Sequence, residues 1–114
     1  MAEQYSLIPE AHSRLKHVID LTKPLFVYAS NAKQYAQALA LNEISNLEVV
    51  SSLNCPSSVT SFNELLKGDS SVDVENDHSQ VGPDTVAKIL MTSGSTSAPK
   101  GVLTTHKMLS LIHI

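Results

Sequence analysis

The sequence predicts an α/β fold built from parallel βαβ units. Three observations carry this prediction. Short, almost wholly apolar runs at residues 25–29, 47–50 and 86–91 have strand length. Segments with apolar residues at helical spacing precede or separate them. Strand and helix therefore alternate along the chain, the order of a sheet wound by crossover helices. The 114 residues are enough for one small domain.

Tyr5, Ser6 and Leu7 form a short lead-in. Pro9 falls where a first helical turn tolerates proline, and Glu10 suits the positive end of the helix dipole. Leu15, Val18, Ile19 and Leu21 mark an apolar face, with His12, Arg14, Lys16, His17 and Asp20 mostly off it. Lys23 and Pro24 end that helix. His12 and His17 are five residues apart and share a helix face poorly, so they are expected as solvated side chains, not metal ligands.

Residues 25–29 are expected as a strand buried on both faces, as in a parallel sheet. Ser30 and Asn31 can cap the next helix, along which Tyr35, Ala38, Leu39 and Leu41 line one side. Residues 42–46 are expected as a turn and 47–50 as the second strand. Strand, helix, strand in this order implies a right-handed parallel crossover. Residues 51–60 read as a polar loop. Residues 61–66 read as a short helix with Ser61 as its cap and Gly68 as its stop. Residues 69–82 are charged and serine-rich, and are expected as an exposed connector in which His78 has no partner pattern. Pro83, Asp84 and Thr85 open the third strand, 86–91. There are no internal repeats.

Composition narrows the function classes. A hydrophobic share of 42% with mean hydropathy near zero fits a soluble globular chain, not a disordered one. The net charge of −3, with no run of like charges, argues against nucleic acid or an anionic membrane as the main partner. The single Cys55 can form neither an internal disulfide nor a multi-cysteine metal site, so a cytoplasmic setting is expected. Its place beside Pro56 in a polar loop marks it as a bystander thiol. The N-terminus lacks a signal-peptide pattern, and no apolar stretch approaches the length of a membrane span.

The chemistry concentrates in Thr92, Ser93, Gly94, Ser95, Thr96, Ser97, Ala98, Pro99, Lys100 and Gly101. An apolar run leads in, and Val102, Leu103, Thr104 and Thr105 lead out. Glycines let backbone approach an anion closely, and successive backbone N–H groups can form an anion-binding concavity. Hydroxyls add donors, and a lysine adds a point charge suited to phosphate. The stretch is not a Walker A loop, which needs Gly-Lys-Ser/Thr opening a helix. Ser97-Ala98-Pro99-Lys100 also fits the S-x-x-K of β-lactamases. That lysine sits on a helix, however, and Pro99 disfavours one.

The run resembles the phosphate-binding signature of the adenylate-forming superfamily: acyl-CoA synthetases, nonribosomal-peptide adenylation domains and luciferases. The match runs through Thr92, Ser93, Gly94, Ser95, Thr96, Pro99, Lys100 and Gly101, then Thr105 and His106. It departs at Ser97, where the family usually has glycine. Tyr5, Ser6 and Leu7, then His12, Leu15 and His17, then residues 25–29 resemble feruloyl-CoA synthases. So do residues 81–90 and residues 106–109.

The resemblance implies several things. The fold would be parallel βαβ units of the large N-terminal domain of an adenylate-forming enzyme, truncated at both ends. Residues 1–114 would form a partial AMP-binding (adenylation) domain. The activity would be acyl-adenylate formation from a carboxylic acid and ATP, with Mg²⁺, followed by thioester formation with coenzyme A. The acid would be of hydroxycinnamate or another carboxylic type. The ATP phosphates would be held by Thr92, Ser93, Gly94, Ser95, Thr96, Ser97, Lys100 and Gly101. Ser93, Ser95 and Thr96 would donate through hydroxyls, Lys100 through charge. Thr92, at the strand's end, has a structural alternative, and His106 is expected to shape the next turn. The family's catalytic lysine, its glutamate for Mg²⁺ and its ribose-binding aspartate lie downstream of the loop and have no position here. Two other readings stay open: a phosphate-binding module without chemistry, and a structural remnant whose loop is a surface turn. After Leu109 the likeness stops. Residues 110–114 read either as an apolar helix start or as translated non-native sequence.

Overall fold

The computed structural model describes residues 1, 3–68, 72–92 and 98–111. They fall into two compact units, Met1–Gly68 and Asp69–Ile114.

In the first unit the N-terminal residues are tied down. Helix α1 (Glu3–Ser6) buries Tyr5 and Ser6. The Met1 amine donates to the Tyr28 carbonyl at 2.6 Å. Partial burial pushes that amine below its usual pKa, because desolvation penalises the charged form. Pro9 opens a 3-10 turn, Pro9–Ala11, that runs into helix α2 (His12–Thr22). Helix α2 buries Leu15 and Ile19, with Val18 packed beside them. Leu21, expected on that face, is 52% exposed. Two residues beyond Ile19 the helix has turned most of the way round. Lys23 adopts a left-handed φ of 44°, and its amide bonds the Ile19 carbonyl, which ends the helix. The expectation of a freely solvated His12 fails. It is half-buried, and its Nε2 donates to the Ser6 carbonyl at 3.0 Å.

Strands β1 (Phe26–Asn31), β2 (Glu48–Leu53) and β3 (Thr60–Ser61) form a parallel sheet in that order. Val27 stands beside Val49, and Tyr28 beside Val50. Between β1 and β2 come two short helices, α3 (Ala36–Leu39) and α4 (Asn42–Ser45). Tyr5, Leu15, Ile19, Val27, Ala38, Ile44 and Val49 form the core.

Several expectations need correction here. Strand β1 is buried on one face only. Val27 and Ala29 point into the core, whereas Phe26 is 66% and Tyr28 48% exposed. The other face bears a groove of about 600 Å³, lined by Phe26, Tyr28, Val50, Phe62 and Leu65 among others. The expected turn at 42–46 is helix α4, whose Ile44 is fully buried. The expected loop at 51–60 begins inside β2 and ends in β3. Ser51 is buried, and its hydroxyl donates to the Leu53 carbonyl at 3.3 Å. Asn31 caps a tight turn, accepting from the Lys33 amide at 3.1 Å, and not the helix that starts at Ala36. Helix α5 (Phe62–Leu66) stands where expected, but Ser61 makes no side-chain cap bond. Gly68 follows it; a Cβ there would lie 2.9 Å from the Leu65 carbonyl oxygen. Cys55 is half-buried, and its thiol donates to the Ser51 carbonyl at 3.2 Å.

The second unit differs more from expectation. The connector contains helix α6 (Val74–Ser79), capped by the Asp73 carboxylate, which accepts from the Asn76 amide at 2.9 Å. Strand β4 (Val86–Thr92) neither lies in a parallel sheet nor is buried on both faces. It pairs antiparallel with β5 (Lys100–Thr105), and its residues are exposed apart from the half-buried Met91. An apolar run cannot tell the two pairings apart. Helix α7 (His106–Leu111) follows β5 directly. Ser110 and Leu111 belong to it; residues 112–114 lie outside the described residues.

Candidate phosphate-binding site

The stretch 92–101 connects the two strands of the second unit's hairpin. Among the described residues the last rung is Thr92 opposite Lys100, behind which Met91 pairs with Gly101 and Leu90 with Val102. Of the expected phosphate ligands, the structure describes Thr92, Lys100 and Gly101. Ser93, Gly94, Ser95, Thr96 and Ser97 lie outside the described residues.

Directly opposed residues of an antiparallel pair project to the same face, with Cβ atoms about 5 Å apart. Alternation then assigns Lys88, Leu90 and Thr92 of β4, and Lys100, Val102 and Thr104 of β5, to one face. Ile89, Met91 and Leu103 take the other, where Gly101 leaves bare backbone opposite Met91. A bulge between Val86 and Lys88 shifts the register at the far end. Thr92 Oγ1 donates to the Lys100 carbonyl oxygen at 3.3 Å, a side-chain clasp across the rung. Pro99, buried, leads into β5 with its φ fixed by the ring. Lys100 is exposed, and among the described residues no carboxylate pairs with it. Such an ammonium, carried by a strand end, is a point charge suited to phosphate.

The other end of the hairpin is locked separately. Thr105 Oγ1 accepts from the Met108 amide at 3.3 Å and so caps helix α7. The His106 amide donates to the Thr85 carbonyl at 3.1 Å, and the Lys107 amide to the Pro83 carbonyl at 2.9 Å. Three of the helix's otherwise unpaired N–H groups are thereby satisfied. The Gly82 amide in turn donates to Thr85 Oγ1 at 2.9 Å. Sequence reasoning singled out Thr105 and His106 by pattern and missed Thr85. The Gly82-Pro83 pair just before it is a turn signal that could have pointed to it. Among the described residues no group of three or more His, Cys, Asp or Glu could hold a metal. No described helix is long and apolar enough to cross a membrane.

The family model described as AMP-binding enzyme matches residues 10–112, a span that takes in both units and the whole stretch between β4 and β5. The chain belongs to the AMP-binding enzyme family. Two curated relatives are similar to the chain as well. The hybrid PKS-NRPS synthetase thnA of Trichoderma harzianum is 36% identical over 78% of this chain and 2% of its own length. Fatty acyl-CoA synthetase B of Dictyostelium discoideum is 37% identical over 45% of this chain and 8% of its own length. This AMP-binding chain thus spans a small part of the relatives it matches. No solved structure matches it.

Proposed function

We propose that this chain is part of an ATP-dependent acid–CoA ligase. Such an enzyme joins a carboxylate to the α-phosphorus of ATP, giving an acyl-adenylate and pyrophosphate. The thiol of coenzyme A then takes the acyl group, releasing AMP. The observation that carries the reading is the family's signature set in a hairpin connection, with Lys100 exposed on its last rung.

Attack on the α-phosphorus sends charge into the departing pyrophosphate. Donors held on the β- and γ-phosphates stabilise that charge as it develops. In this reading Lys100 supplies the cation and Gly101 the close backbone approach. Ser93, Ser95 and Thr96 supply hydroxyls, with Gly94 and Ser97 completing the loop. In this reading Mg²⁺ is held by the nucleotide's phosphates together with the glutamate that the family resemblance places downstream of the loop. The acid is proposed to be a hydroxycinnamate, supported by the likeness of residues 25–29, 81–90 and 106–109 to feruloyl-CoA synthases.

The test uses the protein expressed from its complete reading frame. Charge-assisted hydrogen bonds contribute roughly 1.5–3 kcal/mol each, so Lys100→Ala should slow acid-dependent ATP–pyrophosphate exchange by about one to two orders of magnitude. Unchanged exchange would remove Lys100 from the phosphate site. Exchange driven by fatty acids but not by cinnamic-type acids would overturn the choice of acid while leaving the ligase reading intact.

A further inference from the structure

We propose that Thr92 is a positioning residue: its hydroxyl, bonded to the Lys100 carbonyl, fixes the last rung of the hairpin and thereby the direction in which the Lys100 ammonium leaves the strand. This inference rests on the phosphate-binding reading of the loop and gives Thr92 a different task from its neighbours.

The geometry points one way. Thr92 is the final residue of β4, and Lys100 the first of β5. Among the described residues they are the last pair before the connection. Two-stranded ribbons are marginal alone in water, so a rung gains from any bond beyond its backbone pairing. The Thr92 Oγ1 to Lys100 carbonyl bond adds a side-chain clasp at that place. The donated proton is committed to a backbone oxygen of β5, so the hydroxyl cannot also donate it to a phosphate. Backbone and side chain share one Cα, so a rung that opens also swings the ammonium. The opposite end carries its own lock, through Thr105, Thr85 and the first amides of α7. At that far end the bond across the strands is backbone, from the His106 amide to the Thr85 carbonyl, and it is remote from the lysine.

The experiment is a double-mutant cycle in the protein expressed from its complete reading frame, read by ATP–pyrophosphate exchange. Thr92→Val keeps the shape and removes the hydroxyl; Thr92→Ser restores it. Losing one neutral hydrogen bond should lower kcat about 3- to 10-fold in Thr92→Val. The KM for ATP should hardly move, because an interaction made in the transition state is what weakens. Thr92→Ser should recover most of the rate. With Lys100→Ala already present, Thr92→Val should cost nothing more, because its effect passes through Lys100. Additive losses would overturn the proposal and make Thr92 a direct ligand. A silent Thr92→Val beside a defective Lys100→Ala would overturn it while leaving the phosphate reading standing. A silent Lys100→Ala would overturn both. A fall in thermal stability with no change in kcat or KM would reduce Thr92 to a merely structural residue and overturn the proposal as well.

Discussion

At the scale of the residue, the proposed phosphate loop divides its chemistry among small side chains and one cation. In that proposal Lys100 brings the charge and Gly101 leaves backbone uncovered, while the Thr92 hydroxyl bonds the strand that carries the lysine. Ser97 is where the chain departs from the family pattern, and it lies outside the described residues. Glycine in such a loop commonly serves a backbone conformation that side chains resist. A side chain forced into such a conformation costs about 1–3 kcal/mol. Ser97→Gly should therefore raise the rate of ATP–pyrophosphate exchange or the melting temperature of the complete protein. A slower glycine variant would instead give the serine hydroxyl a part in binding. The family was legible in the sequence because its signal is local: a cluster of hydroxyls and glycines, then Pro-Lys-Gly, needs no tertiary context to stand out. The Thr92 clasp was not legible, because it depends on which residue faces it across the rung.

At the scale of the element, the sequence is informative where periodicity has room to repeat. The eleven residues of α2 and the runs of β1 and β2 fall close to their expected places. Helix α4 has four residues, barely one turn, and shows no period; the core that Ile44 enters is built from residues distant in the chain. Helix α6 carried a readable signal, the cap residue Asp73 followed by Glu75 and Asp77 in the first turn, obscured by polar surroundings. Strand β2 was cut short because Ser51 and Ser52 look like loop residues, although Ser51 is fully buried beside Ala29. Ile44 separates the two accounts of its segment. In a turn its truncation would be nearly neutral. As a fully buried core residue, Ile44→Ala should cost about 2–5 kcal/mol. Chemical denaturation of the complete protein measures this directly, and a loss below roughly 0.5 kcal/mol would remove Ile44 from the core.

At the scale of the whole molecule, each unit exposes apolar surface that folding normally hides. In the first unit Leu25 is 78%, Phe26 66% and Leu66 70% exposed, and Phe26 lies on the face of the parallel sheet that bears the groove. Parallel sheets occur almost only with both faces covered. In the second unit the hairpin has two strands, and Leu90 and Val102 on one face, Ile89 and Leu103 on the other, are each more than 40% exposed. Two-stranded ribbons are marginal alone in water, and unpaired apolar edges invite association. The chain of 114 residues, produced by itself, should therefore melt at low temperature and aggregate at micromolar concentration. It should also fail as a ligase for a separate reason. One phosphate loop cannot hold ATP and an acid in line, and positioning of the two reactants accounts for a large share of the barrier reduction. Binding of ATP should be weak and indifferent to the base, because in this reading the adenine pocket is built by residues downstream of the loop. The test is to purify the 114-residue chain, record its melting transition, and assay hydroxamate formation from cinnamic-type acids with ATP. The expected results are a low, concentration-dependent transition and no acid-dependent turnover. Acid-dependent ATP turnover by the pure chain would show that these residues alone assemble an adenylation site, and would overturn the assignment of the remaining steps to downstream sequence.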